Sequence, residues 1–216
     1  MYRCILFDMD GTLVNSYEGI YHAYEWAFAQ MELPFQGDAF VKKAIGAPLP
    51  FVFEQLYGLS SDRAAQAIRY YRDYYARQGR HEAFAYPGIR EALQGLKSAG
   101  CFLCTATLKK QQFAQEMLEE LGLLPFFDAV CGADEEGRLT KADLIRAGMR
   151  SAGVHPEETI LVGDSEFDAQ GARQSGVSFL AVTYGFGYQS IRQARALPEV
   201  TMAAQTPAEI ARLLRA

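Results

Sequence analysis

The chain has 216 residues and a net charge of −5 at pH 7, and half of its residues are apolar. That length holds one large domain, or a core with a smaller companion. The acid excess leaves no basic footprint for nucleic acid or an anionic membrane surface, and no apolar run approaches the roughly 18 residues that a bilayer span requires.

"YRCILF" (2–7) reads as a buried strand. Because the chain enters it directly, no signal peptide is expected and the protein is read as cytoplasmic. From about Asn15 to Arg80 the pattern is helical, with Ile20, Tyr21, Tyr24, Ala27, Phe28 and Met31 at helical spacing. Pro34 and Gly37 break it, a helix follows near 38–44, "IGAPLP" forms a loop, and Phe51–Tyr57 and Asp62–Arg77 continue the helical block. After "FAYPGI" the rhythm changes. A helix opened by Pro87 runs through Ser98 and is stopped by Gly100. "CFLCTAT" is a strand, Lys110–Leu121 a helix, "FFDAVCG" a strand, Lys141–Ala152 a helix and "TILVG" (159–163) a strand. Ser165–Ser175 is a helix closed by Gly176, "SFLAV" (178–182) a strand, and a short strand near Val200 and a helix from Pro207 finish the chain.

Strand–helix alternation of this kind predicts an α/β fold, a Rossmann-like parallel sheet with helices on both faces. The helical insert of about 70 residues is too long for an ordinary connection. The expected organisation is a core of residues 1–14 and 87–216 and a separate helical unit at 15–86. Cys101 and Cys104 form a CxxC. Residues three apart on a strand face opposite sides, and neither a second CxxC nor a Cys/His pair completes a zinc site, so both are read as buried strand residues. The three histidines, His22, His81 and His155, fit no metal-ligand spacing.

Ligands of open parallel sheets bind outside the carboxyl ends of the strands. Asp8 and Asp10 follow the first predicted strand, Thr107 ends the second, Lys141 opens the helix after the third, and Asp164 and Asp168 follow "TILVG". Any one of these reads as a cap or a turn residue. Together they place several acids, a hydroxyl and a lysine on one sheet edge. Carboxylates so close repel unless one takes a proton or a cation intervenes, and hard oxygen ligands beside phosphate favour Mg²⁺. Gly11 allows a tight turn whose N–H groups can face an anion.

"DMDGTL", a strand-terminal threonine, a later lysine and "GDSEFD" together resemble the four motifs of the haloacid dehalogenase superfamily of phosphohydrolases. The likeness spans nearly the whole chain and includes the helical insert, where that family carries its cap domain. "YPGIREAL", "ATLKKQQFAQEML" and "VTYGFG" look most like its phosphoglycolate phosphatase-like branch. The resemblance implies that Asp8 attacks phosphorus to form an aspartyl-phosphate, and that Asp10 protonates the leaving oxygen and then activates water. It implies that Mg²⁺ binds Asp8, the Asp10 carbonyl and Asp164, and that Asp168 acts through water or orients Lys141. Asp10 favours phosphoryl chemistry over dehalogenation, because a halide leaves without a proton.

The chain departs from the family at Thr107-Leu108-Lys109, where Leu108 replaces a usual Asn or Ser. Thr105 competes with Thr107 for the phosphate-binding role. Substrate contacts are expected from Gly11, Lys109 and Gly46, the last within "KKAIGAPL" (42–49), the segment that faces the site in relatives. "RYYRDYYARQG" (69–79) reads as the packed stripe of the cap or as a Tyr/Arg surface over substrate. "TYGFG" (183–187) follows the last strong strand and reads either as a loop near the site or as local packing. The expected function is Mg²⁺-dependent hydrolysis of a small phosphorylated metabolite, phosphoglycolate or a relative, with a phosphosugar mutase or a non-catalytic phosphate-binding protein as alternatives. Neither nucleic acid nor membrane is an expected partner, and the oligomeric state is not legible.

Overall fold

Four consecutive apolar residues, Cys4–Phe7, form strand β1, and all four are buried. Burial on both faces is the signature of a strand inside a parallel sheet. The computed structural model describes residues 2–135 and 137–214. In chain order β1 is followed by β2 (Val14–Asn15), α1 (Tyr17–Gln30), α2 (Asp38–Ala44), the single turn α3 (Leu49–Phe51), α4 (Ser61–Arg77) and β3 (Phe84–Ala85). Then come α5 (Ile89–Ser98), β4 (Phe102–Thr105), β5 (Thr107–Lys110), α6 (Gln111–Glu120), β6 (Gly132–Ala133), α7 (Lys141–Ala152) and β7 (Thr159–Gly163). The chain finishes with α8 (Glu166–Ser175), β8 (Ser178–Val182), α9 (Ile191–Ala194), β9 (Val200–Ala204) and α10 (Pro207–Leu214). Two compact units result, Met1–Asn15 with Ala85–Ala216, and Ser16–Phe84.

The first unit is built on a five-stranded sheet of order β4-β1-β7-β8-β9. Every pairing in it is parallel, with Cys4 level with Phe102 on one side and with Thr159 on the other. Alternation sends Cys4 and Leu6 to one face. There they join Cys104, Leu161, Phe179 and Ala181 in a core closed by Leu144, Ile145 and Met149 of α7 and Ala169 and Ala172 of α8. Contact is close: a Cβ on Gly148 would lie 2.6 Å from Leu6 Cδ2. The helices α5 and α10 pack on each other and on β4 and β9, with Ile89, Leu93, Leu96, Ile210 and Leu214 buried. Among the described residues no helix is long and apolar enough to cross a membrane.

Several elements differ from the sequence expectation. "FFDAVCG" is not a regular strand. Pro125 sits in a 3₁₀ turn over Leu124–Phe126, and only Gly132–Ala133 is strand. The Asp128 carboxylate takes the Leu103 N–H at 2.8 Å and Lys97 Nζ at 2.7 Å. The chain then follows β4 as a ragged edge through Thr105 N–H to Ala129 O and Thr107 N–H to Cys131 O. "CFLCTAT" breaks at Ala106, and Thr107 opens a second strand that pairs with β6. α5 starts at Ile89, two residues past Pro87, behind a left-handed Gly88. A π turn over Val52–Leu56 continues α3 where a plain helix was expected.

The second unit packs α1 against α4 around an aromatic core. Tyr24 lies 4.7 Å from Tyr71 and 5.3 Å from Phe40, centroid to centroid. Of the tyrosines at 69–79, Tyr71 and Tyr75 are buried and stacked, which is the packed-stripe reading. Tyr74 is half-buried and donates to Glu82 Oε1 at 3.3 Å. Gly46 sits in the turn between α2 and α3 with φ +84°.

Candidate active site

The order β4-β1-β7 sets three strand ends side by side. Asp8 leaves β1 with its N–H donated to Val162 O at 2.9 Å, Ala106 and Thr107 follow β4, and Asp164 follows β7. Lys141 enters from above as the first residue of α7, behind the capping box of Thr140 and Asp143. Its Nζ meets Asp8 Oδ1 at 2.8 Å, Asp168 Oδ1 at 2.7 Å and Ala106 O at 2.9 Å. The contacts to Asp8 and Ala106 are hydrogen bonds, and that to Asp168 Oδ1 is an ion pair without hydrogen-bond geometry. The lysine stem crosses α8 at Gly171, where a Cβ would stand 2.4 Å from Lys141 Cγ.

Asp168 is the third residue of α8 and closes a capping box with Ser165. Its Oδ2 accepts from the Ser165 N–H at 3.0 Å and hydroxyl at 2.6 Å, so one oxygen fixes the helix start and the other holds the lysine. Asp164 Oδ2 accepts the N–H groups of Phe186 at 2.6 Å and Gly187 at 3.1 Å. Gly11 has φ +82°, and a Cβ there would lie 2.2 Å from Asp164 Oδ2. Both the backbone conformation and the space demand glycine.

Asp10 stands apart from this buried group and pairs with Lys109 Nζ at 3.1 Å. The Lys109 side chain is only 4% exposed, so the lysine expected to meet substrate also grips the second aspartate. The two candidate threonines separate by their partners. Thr105 Oγ1 donates to Cys131 O at 3.2 Å and accepts the Cys131 N–H at 2.9 Å, which commits it to the sheet edge. Thr107 Oγ1 accepts the Lys109 N–H at 3.2 Å, within β5. Cys104, half of the CxxC, meets Cys131 Sγ at 3.5 Å and not Cys101.

Burial drives the electrostatics. Asp8 is pushed up to about 6, against the pull of Lys141 and with help from Asp168. Burial also raises Asp164 well above the usual carboxylate range, and Asp168 and Asp8 add to it. Burial opposes the Lys141 ammonium, yet the Asp168 and Asp8 carboxylates hold its pKa above the ordinary lysine value. Ionised together, these four buried side chains carry a net charge of −2.

Asp8, Asp164 and Asp168 each offer a carboxylate oxygen, all within 4.8 Å of one another. Hard oxygens and a −2 deficit fit a divalent cation of the Mg²⁺ type. Asp8 and Asp164 are the best placed of the three as direct ligands, since both Asp168 oxygens are already engaged by Ser165 and Lys141. A ligand from Asp10 would come from its main chain, because its carboxylate pairs with Lys109. Gly46 belongs to the second unit.

The 183–187 loop, which in sequence fits either a place near the site or local packing, lies at the site. Here Tyr184 OH donates to Thr12 O at 2.8 Å and Tyr188 OH to Ser165 O at 3.0 Å, besides the two amides on Asp164. A Cβ on Gly185 would lie 2.2 Å from Gly11 O, so the loop lies directly on the nucleophile turn. The visible signal was two glycines around one aromatic just after a strand. The roles of Gly163 and Gly171, which make room for Asp168 and Lys141, had no such signal.

Comparison with known proteins gives concordant results. The family model for haloacid dehalogenase-like hydrolases matches residues 5–182. The chain is 36% identical over 187 residues to a 5'-nucleotidase of Pseudomonas aeruginosa, covering 86% of this chain and 85% of that protein. It is 30% identical over 196 residues to a phosphoglycolate phosphatase of Pseudomonas savastanoi pv. phaseolicola, covering 86% of this chain and 71% of that protein. A crystal structure from Clostridium acetobutylicum, described as a predicted phosphatase, superposes with a TM-score of 0.93 at 32% identity, covering 99% of this chain and 98% of that one. With the aspartate turn after β1, a buried lysine and paired acids on the edge of a parallel sheet, and with a family match over most of its length, the chain belongs to the haloacid dehalogenase-like hydrolases.

Proposed function

We propose that the protein is a Mg²⁺-dependent phosphatase of small phosphate monoesters that works through an aspartyl-phosphate on Asp8. The observation that carries this reading is the buried Asp8 at the end of the central strand, with one oxygen held by Lys141. That hydrogen bond orients the carboxylate and leaves Oδ2 to attack phosphorus. Thr107 donates to a phosphoryl oxygen, while the N–H groups of Gly11, Thr12 and Leu13 are held by Val14 O and Met9 O within the turn. Asp10, steadied by Lys109, protonates the leaving oxygen; it then takes a proton from the water that attacks the aspartyl-phosphate, which releases phosphate and restores Asp8. A bound divalent cation, held by Asp8, Asp164 and the Asp10 carbonyl, supplies charge neutralisation for the phosphoryl group. Lys141 and Asp168 keep the nucleophile in place through both half-reactions.

We assign substrate choice to the helical unit as a cap, with the 42–49 segment and Gly46 the first place to look. Phosphoglycolate is the substrate class suggested by the sequence resemblance and by several relatives named phosphoglycolate phosphatase. A nucleoside 5'-monophosphate is the second reading, favoured by the 36% identity to a 5'-nucleotidase. The test is phosphate release from phosphoglycolate, nucleoside monophosphates and sugar phosphates, with and without Mg²⁺, beside an Asp8→Asn variant. Release that needs both Mg²⁺ and Asp8 is expected, and the ranking of the panel names the substrate class. A folded protein that releases phosphate from none of them, or as fast without Asp8, would overturn the proposal.

A further inference from the structure

The segment 184–188 touches the site at four points yet supplies no side chain to the buried charges. Tyr184 OH reaches Thr12 O, the Phe186 and Gly187 amides reach Asp164 Oδ2, and Tyr188 N–H reaches Asp164 O at 3.2 Å. The loop therefore joins two turns that carry the cation-facing carboxylates, the one after β1 and the one after β7. Its backbone is pressed flat on both: a Cβ on Gly185 would meet Gly11 O at 2.2 Å and Asp164 Oδ2 at 2.5 Å, and one on Gly187 would meet Asp164 O at 2.2 Å. Tyr86 sets the Tyr184 ring, with centroids 4.8 Å apart in an edge-to-face arrangement, and its N–H donates to Leu13 O at 3.1 Å. Local packing alone would fix the ring without giving the hydroxyl a main-chain acceptor inside the nucleophile turn.

We propose that Tyr184 is a positioning residue: its hydroxyl ties the Asp8–Thr12 turn to the loop that aims Asp164, and so sets the spacing of the carboxylates that hold the cation. This rests on the phosphatase reading above. Two turns held by a common strap keep Asp8 and Asp164 at the separation a small, geometrically demanding ion requires. Without the hydroxyl the ring still packs, the amides still reach Asp164, and the two turns keep the β1–β7 pairing, with Asp8 N–H on Val162 O, but lose the strap beyond it. The loss then falls on cation affinity, and substrate affinity is spared.

The experiment compares wild type with Tyr184→Phe, which removes one hydroxyl. Mg²⁺ binding is measured by calorimetry without substrate, and kcat and KM at low and saturating Mg²⁺. The expected result is a metal-free melting temperature lowered by no more than about 2–4 °C, as the loss of one hydrogen bond costs, Mg²⁺ affinity weaker by about fivefold or more, and kcat lowered at limiting Mg²⁺ but recovered by excess, with KM unchanged. Gly185→Ala, whose methyl group would press on Asp164, should show the same signature more strongly. Unchanged Mg²⁺ affinity in both variants, or a loss of kcat that excess Mg²⁺ fails to recover, would overturn the proposal. A wild-type protein with neither Mg²⁺ binding nor phosphate release would instead overturn the functional reading beneath it.

Discussion

Replacing the nucleophile should make the metal-free protein more stable. Asp8 is raised from 3.8 to about 6 in the folded protein, mainly because it is buried. A group whose pKa is raised by folding contributes its full stability below its unfolded value and loses it as pH rises through the folded value. Folding stability should therefore fall between pH 4 and pH 6, and above pH 6 the ionised Asp8 should cost roughly 3 kcal/mol relative to its neutral form. The amide introduced by Asp8→Asn would keep the shape of that neutral form, and Lys141 would keep Asp168 and Ala106 O as partners. For a chain of this size 1 kcal/mol moves the melting temperature by roughly 2–4 °C, so Asp8→Asn should melt up to about 10 °C higher at pH 7.5 in chelator. At pH 4 the two proteins should melt together. Saturating Mg²⁺ should raise wild type by about 2.7 kcal/mol at a hundred times its Kd and leave the variant nearly unmoved. Thermal melts at both pH values, with chelator and with Mg²⁺, read all of this. Asp8→Asn melting below wild type at pH 7.5 in chelator would refute the reasoning, because the nucleophile would then be a net stabiliser.

Other outcomes follow from the same geometry. Gly171→Ala should push the Lys141 stem aside and lower phosphate release at least tenfold, with the helical circular-dichroism signal retained. Thr105→Val should cost about 1–3 kcal/mol in denaturant melts by stripping the Cys131 main chain of its partner, whereas Thr107→Val, which strips only the bond from the Lys109 N–H, should cost less stability and lower kcat. The Thr12 hydroxyl is buried with no hydrogen-bond partner, so Thr12→Val should leave the melting temperature unchanged or slightly higher.

The parts of this molecule that could be read in the sequence are those where one segment carries its own signal. Cys4–Phe7 announces a strand buried on both faces, and Gly176 ends α8 in the left-handed conformation expected of it. Asp8 and Asp164 follow β1 and β7 as expected, because strand termini follow from apolar runs, and Lys141 opens α7 as expected, whereas Thr107 opens β5 instead of ending β4. What failed was the edge at 126–132, where an aspartate side chain stands in for a ladder partner and a proline turn delays the extended chain. The division of labour between Asp164 and Asp168 was also out of reach. One is aimed by two amides from a distant loop and the other by its own helix cap, and main-chain donors leave no residue-type signature. The partner of Lys109 depends likewise on how two loops pack.

The central place of β1 has a consequence for the order of events during synthesis. It emerges first, yet its neighbours in the sheet begin at Phe102 and Thr159. At about 5–20 residues per second the ribosome needs several seconds to deliver the first and roughly half as long again for the second. Meanwhile Ser16–Phe84, a contiguous stretch with its own aromatic core, is already complete and free to collapse. An apolar ribbon ending in a reactive carboxylate therefore waits, unpaired, while the inserted helices settle. Long-range pairing of this kind is slow to close, so the Asp8 end of β1 is held in the sheet only after β7 has been made.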